Sequence, residues 1–264
     1  MGEGKLYLIG LGLAKDLITL RGLKALKESD IVFLDRYTSD IGSSLQELEE
    51  EYGVRIIPVG RRELEEGLRD NILKHVESGK KVALLVPGNP LIATTHISIV
   101  TEAASLRLDF EIIPAPGIIP NALSMAGLMP YKIGKLATVT YPVEGKVHTY
   151  VYDVVKGNDE RNLHTILLLE MDAEKGVMMT PKEAVDLLLT MEELRGEGVL
   201  REGREAVVIS ALGREGQRIC CVRLGSVKEL PPAPGPHTIV ITSPQLHYME
   251  EEALKVIHSE YCRQ

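Results

Sequence analysis

Between Lys81 and His96 the chain runs through Val82-Ala83-Leu84-Leu85-Val86 into Pro87-Gly88-Asn89-Pro90 and leaves through Thr94-Thr95. Apolar residues without alternation are what a parallel strand covered on both faces requires. The tetrapeptide that follows cannot continue a sheet. Its two prolines lack a backbone donor and its glycine admits positive φ, so the chain must turn sharply off the strand tip before a helix begins. In open α/β sheets, ligands bind at the carboxyl ends of strands. This loop is therefore the first candidate for a binding segment.

At 264 residues, 44% hydrophobic and 26% charged, the chain has the make-up of an ordinary soluble globular protein with room for two modest domains. No apolar run is long enough to span a bilayer, and Lys5 to Ile9 is too short for a signal-peptide core, so the expected location is cytoplasmic. Three cysteines, two of them adjacent at Cys220 and Cys221, suggest neither a disulfide framework nor a metal site. The seven histidines are scattered without zinc-ligand spacing. A formal net charge of −8 argues against phosphate-driven nucleic-acid binding.

The first half alternates strand and helix. Strands are expected at Leu6 to Ile9, Ile31 to Leu34, Val54 to Pro58, around Val82 to Val86, and at Phe110 to Ile113. The helices between them include one capped by Thr19 with an apolar stripe of Leu20, Leu23, Ala25 and Leu26. Others are expected over Ser43 to Tyr52, Glu63 to Ser78 with Leu64, Leu68, Ile72 and Val76 at four-residue spacing, and Thr95 to Leu106. Such alternation implies a five-stranded, mostly parallel sheet with right-handed crossovers. Asp35-Arg36-Tyr37-Thr38-Ser39 is a polar cluster at a strand end, and Arg61-Arg62 follows the third strand.

The second half reads differently. After a short helix at Asn121 to Leu128, strands are expected at Lys135 to Tyr141, His164 to Glu170, Ala206 to Leu212, Gln217 to Leu224 and His237 to Thr242. Two of these lie at hairpin spacing, which implies a mixed sheet. Glu144 to Arg161 reads as a helix followed by a loop. Pro181 opens a helix buried through Ala184, Leu187, Leu188, Met191 and Leu194, and Tyr248 to Tyr261 is a terminal helix. The expected fold is thus α/β, with domains over 1–117 and 118–264 and a cofactor cleft between them.

Gly10-Leu11-Gly12 would let backbone approach a nucleotide-like ligand, but Lys15 stands where a dinucleotide fingerprint needs its third glycine. Thr94 and Thr95 read as helix caps before they read as catalytic groups. There is no GxSxG elbow and no Walker loop. By pattern alone the chain is a two-domain α/β ligand-binding protein.

The opening LYLIGLGL with DLITLRGLKAL resembles the first motif of the tetrapyrrole-methylase superfamily, whose members bind S-adenosylmethionine between two α/β domains. LLVPGNPLIATTH is similar to that superfamily's second loop. Within it, Tyr37 to Ser39, Pro90 to His96, GLMPYKIGKLATVTYP at Gly127 to Pro142, NLHTILLLEM at Asn162 to Met171 and PHTIVITSPQLHYMEEEAL at Pro236 to Leu254 resemble the diphthine synthase family of methyltransferases. These segments run in order from the first strand to the last helix.

That resemblance implies repeated methylation, by S-adenosylmethionine, of the amine on a 3-amino-3-carboxypropyl-modified histidine of elongation factor 2, by a cytoplasmic homodimer. It implies cofactor contacts from Leu13, Asn89, Ile92, Gly117, Ile118, Leu168, Leu212 and His237. Asn89 stands where the family usually has Asp, and Gly117 where it usually has Ser. No catalytic residue is implied. His96, Asp35 and Tyr37 are candidates for the proton acceptor, with structural hydrogen bonding the plainer reading, and Arg61 and Arg62 are candidates for the substrate's carboxylate. Two rivals remain: a methylase of the same superfamily acting on a corrin precursor or ribosomal RNA, and a module that binds the cofactor without turnover.

Overall fold

The residues of the strand at Lys81–Val86 that face opposite ways meet two different cores. Val82, Leu84 and Val86 pack with Leu6, Leu8 and Phe33, while Ala83 and Leu85 pack with Tyr7, Ile9, Val32 and Leu34. All five from Val82 to Val86 are fully buried, which is why the run does not alternate. The computed structural model describes residues 4–262.

In chain order the first sheet comprises β1 (Lys5–Gly10), β2 (Ile31–Asp35), β3 (Ile57–Val59), β4 (Lys81–Val86) and β5 (Asp109–Ile113), arranged β3-β2-β4-β1-β5. Every pairing is parallel, and the register Lys5↔Lys81 through Gly10↔Val86 brings the ends of β1 and β4 level. Helices α1 (Leu20–Lys27) and α2 (Leu45–Tyr52) cover one face through Leu26, Leu48 and Tyr52. The other face is covered by the segment ending in α3 (Lys74–Glu77) and by α4 (Ile97–Ser105), through Ile72, Val76, Ile99 and Ala103.

The second sheet takes β6 (Ala137–Val139), β7 (Thr165–Leu169), β10 (Glu205–Ser210), β11 (Arg218–Arg223) and β12 (His237–Ile241) in the order β11-β10-β12-β7-β6. Only β6 and β7 pair in parallel; the remaining pairings are antiparallel, so the sheet is mixed. A small hairpin, β8 (Met171–Asp172) with β9 (Val177–Met178), follows β7. Helices α6 (Tyr150–Asp159) and α7 (Pro181–Arg195) build a core with Val208, Ile239 and Leu167. Helix α5 (Ile118–Ala126) precedes β6, and α8 (Tyr248–Tyr261) packs against β11. The chain divides into two compact units. One runs to Ile118 and includes Asp172–Gly176; the other holds Ile119–Met171 and everything from Val177 onward.

Several local expectations are corrected. Leu20 and Leu194 close their apolar stripes in sequence but are 87% and 62% exposed, because each lies at a helix end where the stripe has rotated off the core. The strand expected from Val54 forms only at Ile57–Val59, and that expected over Lys135 to Tyr141 only at Ala137–Val139. The strand expected to reach Leu212 stops at Ser210, because Ala211 takes a left-handed φ of 49°. The short helix starts at Ile118, ahead of Asn121. Glu63 to Ser78 is not uniform α-helix: Arg62–Glu66 and Arg69–Leu73 are wider π turns, one closed by Gly67 N–H to Arg62 O at 2.9 Å. Leu64, Leu68, Ile72 and Val76 are nevertheless all buried.

Cys220 and Cys262 form a disulfide that ties the end of α8 to β11. A separation of 42 residues gives no local spacing from which to read the pair. Cys221 stays reduced, and burial, aided by the Glu205 carboxylate, pushes its thiol up to about 12, which leaves it a poor nucleophile.

At the start of α8, Glu250 is wholly buried and accepts from Met129 N–H, His247 N–H, Lys132 Nζ and His164 Nε2. Since His164 Nδ1 accepts from Ser243 N–H, the ring proton sits on Nε2. Burial would raise the Glu250 carboxyl, but Lys132, the two backbone donors and His164 outweigh it and hold the group at about 2. His164 is lowered because burial outweighs its partner. Both folded groups bind protons less readily than their unfolded counterparts, so stability must fall on acidification. The His164 contribution is lost first, as pH falls below about 6.5; the Glu250 contribution goes between about 4.5 and 2. Urea midpoints measured from pH 7 to pH 3 should decline continuously.

Candidate functional site

The strand order places β4, β1 and β5 side by side, so the three loops leaving them emerge together. Glycine lets them touch. Gly12 and Gly88 exchange backbone hydrogen bonds, Gly12 N–H to Gly88 O at 3.2 Å and Gly88 N–H to Gly12 O at 2.7 Å, each glycine at positive φ. A Cβ on Gly10 would stand 2.7 Å from Gly88 O and 2.9 Å from both Pro90 Cδ and Ala115 Cβ, so all three loops meet over that bare backbone.

Asn89 lies at this junction. Its Oδ1 accepts from Leu91 N–H at 3.1 Å, and its Nδ2 makes a long 3.4 Å contact to Ala115 O, a donation that Asp could not make. Gly117 is packed against it, for a Cβ there would stand 3.0 Å from Asn89 Cβ. The two positions that depart from the family pattern thus touch each other. Leu13 is half-buried just beyond Gly12, Ile118 opens α5, and Ile92 is 40% exposed at the outer end of the loop. Nothing lies within 4 Å of the Cβ position of Gly88. The first unit therefore groups Asn89 and Gly117 in one loop junction, with Leu13, Ile92 and Ile118 on its flanks.

The polar cluster after β2 turns inward. Asp35 is fully buried and His96 is 1% exposed, their Oδ2 and Nε2 atoms 3.2 Å apart. Tyr37 hydroxyl donates to Glu65 Oε1 at 3.1 Å and shares a hydrogen bond with Thr95 Oγ1; burial raises its ionisation. Arg61 lies over the Tyr37 ring at 5.2 Å and pairs with Glu65 at 3.8 Å, while Arg62 is exposed beside Glu66. Helix α4 starts at Ile97, its flanking residue His96 giving no side-chain cap, so Thr94 and Thr95 are not the caps the sequence suggests. Thr94 hydroxyl bonds Pro90 O instead.

In the second unit, Leu168 sits in β7 opposite Thr238. Leu212 and His237 are brought to one end of the sheet, where Ala211 N–H bonds Pro236 O and His237 pairs with Ser210. Burial lowers the basicity of the His237 ring, and its Nδ1 lies 2.8 Å from Ser210 Oγ. A cavity of about 230 Å³ opens beside it, lined by Ser210, Val208, Thr180, Leu230 and Pro231. Ser210 is the neighbour that reading the strand as a buried run does not single out. Among the described residues, no group of three His, Cys, Asp or Glu is placed to hold a metal, and no helix is long and apolar enough to cross a membrane.

The sequence profile of the family described as Tetrapyrrole (Corrin/Porphyrin) Methylases matches residues 5–228. The chain is 34% identical over 255 residues to a diphthine synthase of Sulfurisphaera tokodaii, covering 96% of this chain and 98% of that one. It is 36% identical over 254 residues to a diphthine synthase of Metallosphaera sedula, again covering 96% and 98%. A crystal structure of diphthine synthase superposes with a TM-score of 0.87 at 32% identity, covering 97% of this chain and 96% of that one.

Proposed function

The chain belongs to the tetrapyrrole methylase family and, within it, to the diphthine synthases, and on that premise we propose that it methylates a modified histidine of elongation factor 2. The acceptor in this reading is the amine of a 3-amino-3-carboxypropyl group on that histidine, methylated repeatedly to give diphthine. The observation that carries it is identity of about one third to diphthine synthases along essentially the whole chain. The same reading makes S-adenosylmethionine the cofactor and the protein a cytoplasmic homodimer.

The residues in hand suit such a cofactor. Open space beside Gly88 and the half-exposed Ile92 leave an accessible edge, while the bare Gly10 and Gly117 let the three loops pack together beneath it. When bound, S-adenosylmethionine supplies a methyl group already activated by its sulfonium. In this reading Leu13, Asn89, Ile92, Gly117, Ile118, Leu168, Leu212 and His237 contact it. Alignment of the amine with the methyl group is the main demand on the protein, and good alignment is worth about 7–11 kcal/mol. The amine must also shed a proton before it can attack. His96 and Asp35 are too deeply buried to take that proton directly.

Calorimetric titration with S-adenosylmethionine tests this reading, and one molecule should bind per chain. Ile92→Arg should weaken binding by roughly tenfold or more, because a cation would then face a sulfonium. The exposure of Ile92 means the fold should tolerate the change. Equal affinity in the variant would remove this loop from the cofactor site.

A further inference from the structure

Pro90 is one of the two residues between the proposed cofactor contacts Asn89 and Ile92, and its carbonyl receives two side-chain donors. Thr94 Oγ1 donates at 2.8 Å and His96 Nδ1 lies at 3.2 Å. A carbonyl can only accept, so the His96 proton is on Nδ1. The other ring nitrogen faces Asp35 Oδ2 at 3.2 Å, yet no hydrogen bond of ordinary geometry reaches it. Asp35 is itself fixed at the end of β2, its Oδ1 accepting from the N–H groups of Tyr37 at 2.9 Å and Thr38 at 3.1 Å, and its Oδ2 from Thr38 hydroxyl. His96 therefore bonds the middle of one loop while lying against the tip of a neighbouring strand.

Between the tied ends, Ala93 is held at a φ of +58°, in the left-handed region that residues with a Cβ rarely enter. Such strain persists where surrounding contacts over-determine it. Here those contacts are the two bonds that Thr94 and His96 send back to Pro90. His96 is also the residue flanking α4, where it makes no helix cap; its ring is turned inward to this task.

We propose that the buried His96 is a positioning residue that holds the Gly88 to Ile92 backbone in its receptive shape by donating its Nδ1–H to the Pro90 carbonyl. The inference rests on reading this loop as part of the cofactor site. His96 does not touch the substrate and acts through the loop.

The test compares the wild type with His96→Ala, His96→Asn and Thr94→Val, in S-adenosylmethionine affinity, steady-state kinetics and amide exchange. In His96→Ala the Leu91 and Ile92 amides should exchange faster while those of β4 keep their protection. Affinity should fall by roughly tenfold or more, in proportion to the fraction of loops still in the receptive shape. The loss should appear in KM for the cofactor, with kcat at saturation changed by about twofold or less. His96→Asn, which restores a donor, should recover part of the affinity. Thr94→Val, which removes the second donor to the Pro90 carbonyl, should loosen the loop in the same direction, and it serves if His96→Ala does not fold. Unchanged loop exchange in a folded His96→Ala protein would overturn the clamp, as would a loss confined to kcat. A wild type that binds no S-adenosylmethionine, while loop exchange still responds to His96→Ala, would leave the clamp standing and overturn the cofactor reading instead.

Discussion

Replacing Glu250 by Ala is expected to lower the unfolding free energy by about 3–5 kcal/mol, the range found when one partner of a buried ion pair is removed. The carboxylate has no exposure and serves four donors, so its loss leaves Met129 N–H, His247 N–H and His164 Nε2–H without their acceptor and Lys132 without its counter-charge. Buried donors left unmet cost about 1–3 kcal/mol each, which by itself reaches that range. The comparison is Glu252→Ala on the same helix. Glu252 is exposed and pairs with Lys255 at the surface, so that change should stay within about 0.5 kcal/mol. Chemical denaturation of the two variants side by side checks the contrast, and equal midpoints would mean that the buried network does not hold α8.

The second large effect is on binding. Gly10→Val should reduce affinity for S-adenosylmethionine by about 100-fold or more, because affinity falls with the fraction of molecules whose loops keep the receptive arrangement. Its Cβ would meet backbone, Gly88 O at 2.7 Å, and the ring of Pro90 at 2.9 Å, so the loop after β4 has to move away. The strand itself should survive, with a stability loss of about 1–3 kcal/mol typical of overpacking. Gly157→Ala is the control: in α6 its Cβ would meet nothing within 4 Å, so binding should not change. Normal cofactor binding by folded Gly10→Val would show that the junction of the three loops is not part of the site.

Much of the architecture could be read from the chain because its signals are local. The unalternating Val82 to Val86 marked a strand buried on both faces, Thr19 capped α1, and Pro181 opened α7. The breakers after β1, β4 and β5 marked loops, but only strand order could show that Gly10, Gly88, Pro90 and Ala115 converge. What escaped depends on distant partners. Cys220 meets Cys262, and Asp35 meets His96, only after folding. Glu250 sits in the run Met249-Glu250-Glu251-Glu252, which reads as a solvated face; its burial follows from His164 and Lys132, more than a hundred residues away in the case of Lys132. Where each apolar stripe ends was equally hidden, since Leu20 and Leu194 match their helix faces in spacing and still project into solvent.

The most direct measurement is methyl transfer from labelled S-adenosylmethionine to elongation factor 2 carrying the 3-amino-3-carboxypropyl histidine, with the unmodified factor alongside. Label on the modified factor alone is the predicted result, and it would also show that Asn89 and Gly117 support turnover. Cofactor binding without label on the modified factor would contradict the proposed reaction, and label on a corrin precursor or ribosomal RNA instead would assign the chain to another substrate of its family.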